Sequence, residues 1–166
     1  TIAANNEISG TTVMTFACRL GGRVLGISIE PKLRIDAVEV SPAGDPPSWQ
    51  PVPYIQEKED EDADAAIVFP DPLVAGTKYL LRTKYHGVGK GVLRDAGDGN
   101  FTVGARDSWY PNVGSFRQLA QFQLTFRLPA KSRNQVVAVG VESDNRLEGD
   151  QRIVIWKSTH PLRVAG

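Results

Sequence analysis

Residues 120–128 constrain the fold more than any other stretch: Ala120, Phe122, Leu124, Phe126 and Leu128 alternate with Gln121, Gln123, Thr125 and Arg127. Period two places the apolar set on one face of an extended strand and the polar set on the other, so one face is buried and the other wet. The same period returns over residues 78–85, where Tyr79, Leu81, Thr83 and Tyr85 oppose Lys78, Arg82 and Lys84. Near the N-terminus Met14, Phe16, Cys18 and Leu20 form the more apolar of two interleaved sets. No stretch shows a sustained 3.6-residue apolar period with caps, so the expected class is all-β.

Turn chemistry divides the strands. Gly21-Gly22 tolerates positive φ at both central positions of a tight turn, and with Val24, Ile27 and Ile29 beyond it the opening reads as a hairpin. Residues 33–40 add a strand, after which Pro42, Pro46, Pro47, Pro51 and Pro53 break regular structure in a loop that Trp49 and Tyr54 are expected to tack down. The acidic stretch at 57–64 reads as a solvated loop and residues 67–69 as a short strand. Residues 136–141 and 152–156 bracket a polar loop with Asp144, Asn145 and Gly149, as a hairpin would.

With 166 residues, one domain is the default, and neither an internal repeat nor a low-complexity segment divides the chain. The 19 basic side chains balance 19 acidic ones, which argues against a nucleic-acid partner. No apolar run approaches the roughly 20 residues of a membrane span, and residues 1–10 lack the basic-then-apolar pattern of a signal peptide. A soluble piece is the expectation, with its compartment undetermined. A single cysteine cannot form an intramolecular disulfide, and Cys18 is expected to pack as a small, inert hydrophobe beside Phe16 and Leu20.

Catalytic constellations are weak. His86 and His160 lie far apart and neither opens H-E-x-x-H, so no catalytic zinc is expected in this chain. Gly87, Gly89 and Gly91 lack the following helix that a phosphate cradle needs. Asp60, Asp62 and Asp64 open like a calcium loop, but Ala65 stands where its glycine belongs. Ser115 lacks the second glycine of a nucleophile elbow. The residues therefore supply no catalytic, cofactor or metal site. Trp109, Tyr110 and Pro111, flanked by Arg106, Asp107 and Asn112, form an aromatic cluster that fits corner packing and also a carbohydrate or peptide platform.

Read in order, several segments resemble the N-terminal domain of aminopeptidase N-type zinc metallopeptidases, the gluzincin family that includes leukotriene A4 hydrolase. Residues 31–38, Pro-Lys-Leu-Arg-Ile-Asp-Ala-Val, resemble that family's L-x-I-x-x-V strand. Residues 73–87 resemble its L-x-x-G-x-x-Y-x-L-x-x-x-Y-x-G stretch, and residues 105–111, Ala-Arg-Asp-Ser-Trp-Tyr-Pro, its A-R-x-x-F-P segment. Residues 156–162 are similar to the last strand before the catalytic domain. The resemblance covers residues 12–166 as a single β domain and leaves residues 1–11 as an N-terminal extension.

It implies a saddle-like or sandwich-like domain of mostly antiparallel sheets, without catalytic residues of its own. Such a domain packs on a C-terminal catalytic domain and walls the cleft for a peptide substrate, with zinc held in that missing domain. Phe101, Thr102, Arg106, Trp109, Tyr110, Pro111 and Asn112 would then face the cleft or the domain interface. Two departures stand out: residues 101–104 carry no glutamine or glutamate for a substrate amine, and residues 112–115 replace the usual C-x-D-E-P. The competing expectation is a free-standing β-sandwich that binds carbohydrate or protein through Trp49, Trp109 and Tyr110.

Overall fold

The computed structural model describes residues 7–58, 64–88, 92–97, 100–104, 106–114 and 117–165. Among them there is no helix, and all the strand pairings are antiparallel. The largest sheet orders β1 (Glu7–Ala17), β7 (Lys78–Val88), β3 (Leu33–Pro42) and β4 (Gln50–Pro51) side by side. As the alternation requires, Tyr79, Leu81, Thr83 and Tyr85 are the buried residues of β7. A second sheet joins β2 (Gly22–Ile27), β6 (Ala65–Leu73) and β5 (Tyr54–Gln56) in the order β2-β6-β5.

These two sheets share one core. Ile35, Val38 and Leu81 from the first meet Ile27, Ala65, Ile67 and Phe69 from the second, with Val52 from the proline-rich loop. Each fully buried Ile, Leu or Phe contributes about 1.5–3 kcal/mol of transfer free energy, so this contact holds the layers together. Tyr54 ties the loop down as expected, its hydroxyl donating to the Ile35 carbonyl at 2.8 Å.

The N-terminal part differs from the hairpin expected there. β1 pairs along its whole length with β7, while β2 pairs with β6 in the other sheet, so the chain changes layers at Gly21-Gly22. A glycine dipeptide dictates a turn but not the partner of the strand before it. Phe16, directly opposite Tyr79 and stacked on it at 5.9 Å, helps hold β1 against β7. The apolar alternation stops at Ala17: Leu20 is 94% exposed, and half-buried Cys18 is held through its backbone by Gly76 and Thr77. Cys18 therefore has no buried Leu20 beside it. At the other end, β1 begins at Glu7 and buries Ile8, so residues 7–11 pair within the large sheet.

A third sheet orders β10 (Gln123–Pro129), β12 (Gln151–Lys157) and β11 (Val141–Glu148) as β10-β12-β11. The hairpin expected near the C-terminus exists with other bounds. Its turn lies at residues 149–150, Asp144 and Asn145 sit within β11, and residues 136–140 are outside any strand. Gly140 (φ 93) leads into β11, and an added Cβ would meet the Lys157 carbonyl oxygen at 1.9 Å, so the close approach there requires glycine. β8 (Leu93–Gly97) and β9 (Asn100–Val103) form a separate two-stranded hairpin.

Tyr85 makes the fold sensitive to alkali. It is only 4% exposed, and burial pushes its phenol up to about 12 against a lowering hydrogen bond with Thr12. Above the unfolded tyrosine value of about 10, the unfolded chain loses this proton while the folded chain keeps it, so stability falls as pH rises. The contribution is complete below pH about 10 and lost as pH passes about 12; two pKa units correspond to roughly 2–3 kcal/mol. Urea unfolding of wild type and Tyr85→Phe between pH 9 and about 12 checks this. The variant is expected to show a shallower decline, and equal slopes would refute the assignment.

Candidate functional site

The candidate site residues lie at one end of the large sheet. There Ile8, Leu33 and Tyr85 join Ile29, Val92 and Leu93 in a second core cluster, against which Val103, Trp109 and Tyr110 pack. Gly87, the first glycine of the G-x-G-x-G run, belongs to β7, and Gly89 and Gly91 fall outside the described residues.

Residues 108–112 form a tight corner. Ser108 is left-handed (φ 49), a conformation costing a non-glycine residue on the order of 1–2 kcal/mol, and its carbonyl accepts from Glu30 N–H at 3.0 Å. Asn112 bridges to Ser28 through both backbone directions, at 2.9 and 3.0 Å. Its side-chain Nδ2 donates to the Ser28 carbonyl at 3.0 Å and to Ser108 Oγ at 3.2 Å. Its Oδ1 is buried without a partner among the described residues. Asp107 forms an ion pair with Arg94 at 2.8 Å, linking the corner to β8.

The aromatic pair closes on the end of the chain. Trp109 and Tyr110 meet edge to face at 5.1 Å, and Tyr110 meets Phe122 in the same way at 6.0 Å. Trp109 Nε1 donates to the Ala165 carbonyl at 2.8 Å, while Ala165 N–H donates to the Tyr110 hydroxyl at 3.2 Å. Ala165 is fully buried, and burial raises the Tyr110 phenol above its ordinary range. Both polar handles of the aromatic pair thus engage a residue more than 50 positions away.

The remaining candidates are placed differently. Pro111 and Asn112 are buried within the corner. Phe101, 44% exposed, and Thr102 lie on β9, next to Val103, which packs in the cluster with Trp109 and Tyr110. Arg106 is exposed. Trp49 is elsewhere: its ring lies 4.3 Å from the Arg82 guanidinium, five residues along β7 from Gly87. Arg82 in turn grips both carboxylate oxygens of Glu39 at 2.7 Å, and these bonds hold the Glu39 carboxyl below its usual range. Trp49, Trp109 and Tyr110 therefore do not form one surface. Local patterning gave no sign of Ala165, Phe122 or Ser28 in the corner, because their partners are distant in the chain.

The described residues do not fit zinc. No group of three or more His, Cys, Asp or Glu side chains among them could hold a metal ion. His86 Nδ1 faces Asp36 at 2.7 Å, and His160 Nδ1 faces Thr159 Oγ1 at 3.0 Å, both on the surface. Of the calcium-like triad, Asp60 and Asp62 fall outside the described residues, as does Ser115. No described helix is long and apolar enough to cross a membrane.

No family model and no curated protein sequence matches the chain. Solved structures do. The M1 zinc metallopeptidase of Deinococcus radiodurans matches 97% of this chain with a TM-score of 0.73 at 15% identity, over 37% of that enzyme's chain. A mutant of that enzyme bound to a Tyr-Ser-Ala substrate matches with a TM-score of 0.72 at 16% identity, covering 97% of this chain and 38% of that one. A two-domain M1 zinc metallopeptidase mutant bound to L-arginine matches with a TM-score of 0.72, 16% identity and the same two coverages. The chain thus has an all-β fold found within M1 zinc metallopeptidases and spans little more than a third of their length.

Proposed function

We propose that this chain is the non-catalytic N-terminal β domain of an aminopeptidase-like zinc protein. It packs on a following catalytic domain and walls one side of the cleft that receives a peptide substrate. The supporting observation is the fold likeness, which runs along nearly the whole of this chain and only a part of each peptidase. In this reading zinc belongs to the following domain, and the residues described here bind and shape without touching the reaction. The corner of residues 108–112 holds the segment around Ala165, because Trp109 and Tyr110 together fix that residue. The exposed Phe101, Thr102 and Arg106 beside that corner are the side chains assigned to the interface or the cleft.

A face that packs on another domain is left uncovered when the domain stands alone, and uncovered apolar patches bind hydrophobic dyes. The 166-residue chain is expected to enhance the fluorescence of such a dye, and the enhancement should fall when the catalytic domain is present on the same polypeptide. A folded chain with no dye binding in either form would contradict the reading.

A further inference from the structure

The hairpin of β8 and β9 carries a chemistry that the corner does not use. Asn100, Phe101 and Thr102 read Asn-x-Thr, the acceptor pattern for an N-linked glycan, in which a side-chain amide is followed two residues later by a hydroxyl. Of the six asparagines in the chain, only Asn100 has a serine or threonine at that position. So short a pattern recurs by chance, and its meaning depends on where the fold places it.

β9 presents both groups to water. Leu93 and Val103 lie opposite each other in the hairpin and both pack in the second core cluster, so they mark its inner side. Side chains alternate along a strand, which groups Phe101 with Val103 and turns Asn100 and Thr102 to the outer side. All three residues of the pattern are exposed, and the hairpin pairs with no other described strand. Asn100 stands where the hairpin closes, opposite Gly97. Its Nδ2 donates to the Gly97 carbonyl at 3.2 Å, an exposed bond that uses one of the two amide hydrogens. Gly97 is left-handed (φ 86), and nothing lies within 4 Å of an added Cβ there, so the turn beside Asn100 is uncrowded.

We propose that Asn100 is the acceptor for an N-linked oligosaccharide, transferred from a polyprenyl-pyrophosphate donor by an oligosaccharyltransferase. Asn100 Nδ2 forms a bond to C1 of the first sugar as the bond between C1 and the pyrophosphate oxygen breaks. The lipid pyrophosphate leaves with the electron pair, and one amide hydrogen is lost as a proton. The other hydrogen stays on Nδ2 for the Gly97 carbonyl, so the turn keeps its bond. Thr102 supplies the hydroxyl that the transferase reads, and its place on the same side as Asn100 lets one enzyme surface meet both. This modification does not depend on the peptidase role proposed above. A glycan on the outer side keeps Asn100 and Thr102 in water and leaves Phe101 as the hairpin's contribution to the interface or the cleft.

The test incubates the folded 166-residue chain with a purified oligosaccharyltransferase and a polyprenyl-pyrophosphate-linked oligosaccharide, beside a blocked peptide of residues 98–104 as the unfolded acceptor. The chain is expected to gain the mass of one oligosaccharide, mapped to Asn100 and removed by a peptide-N-glycosidase. Asn100→Gln and Thr102→Val should each abolish the gain, while Thr102→Ser retains it. Both positions are exposed, so the variants should keep the wild-type urea transition. A chain left unmodified would overturn the proposal: with the peptide modified, the fold hides the site, and with the peptide unmodified, the segment is no acceptor. A gain that survives in Asn100→Gln would overturn it as well.

Discussion

Gly87→Ala is expected to destabilise the chain by on the order of 3 kcal/mol or more, through steric conflict at the end of a central strand of the large sheet. Gly87 sits in β7 between Ile8 of β1 and Leu33 of β3. Its φ is 157°, and an added Cβ would lie 2.0 Å from the Lys32 carbonyl oxygen and 2.9 Å from Leu33 Cα. Both obstructing atoms are backbone, so no side-chain rotation relieves the contact, and β3 must move away from β7. That movement would disturb Leu33, which is fully buried in the second cluster. Gly26→Ala is the control, since nothing lies within 4 Å of its added Cβ. Urea unfolding should separate the two variants clearly, and a Gly87→Ala chain within about 0.5 kcal/mol of wild type would show that this packing is wrong.

Trp109→Ala is expected to cost about 3–5 kcal/mol, the usual range for truncating a large packed aromatic. The substitution removes the edge contact to Tyr110, the packing on the second cluster and the hydrogen bond to Ala165. It should also release the C-terminal segment, read as faster amide exchange over residues 162–165. Trp109→Phe keeps most of the packing while losing the indole donor, so about 1 kcal/mol and a smaller exchange effect are expected. If Trp109→Ala left both stability and exchange unchanged, the corner would not be holding the end of the chain.

The legible and illegible parts of this fold follow from what each interaction depends on. β7 could be read directly because its two faces meet different surroundings and its alternation records both. Sequence patterning does not locate β11, because Val141–Glu148 is an edge strand exposed along most of its length and charged residues occupy both faces. The neighbouring residues 136–140 have the composition of a strand but no ladder partner, and composition cannot report on a partner. Gly21-Gly22 marked a true change of direction, although pairing was decided by packing elsewhere, as at Phe16 and Tyr79. At the corner, the aromatic run is visible in the sequence and fits both packing and binding. Its contact with Ala165 joins residues 55 and 56 positions apart, which no local pattern encodes.

The proposed role requires that a catalytic domain follow this β domain. The most direct test is to read the coding sequence beyond Gly166. An H-E-x-x-H segment, with a further glutamate about 18 residues beyond it, is expected in the same reading frame. A frame that ends after Gly166, or continues without that pattern, would contradict it.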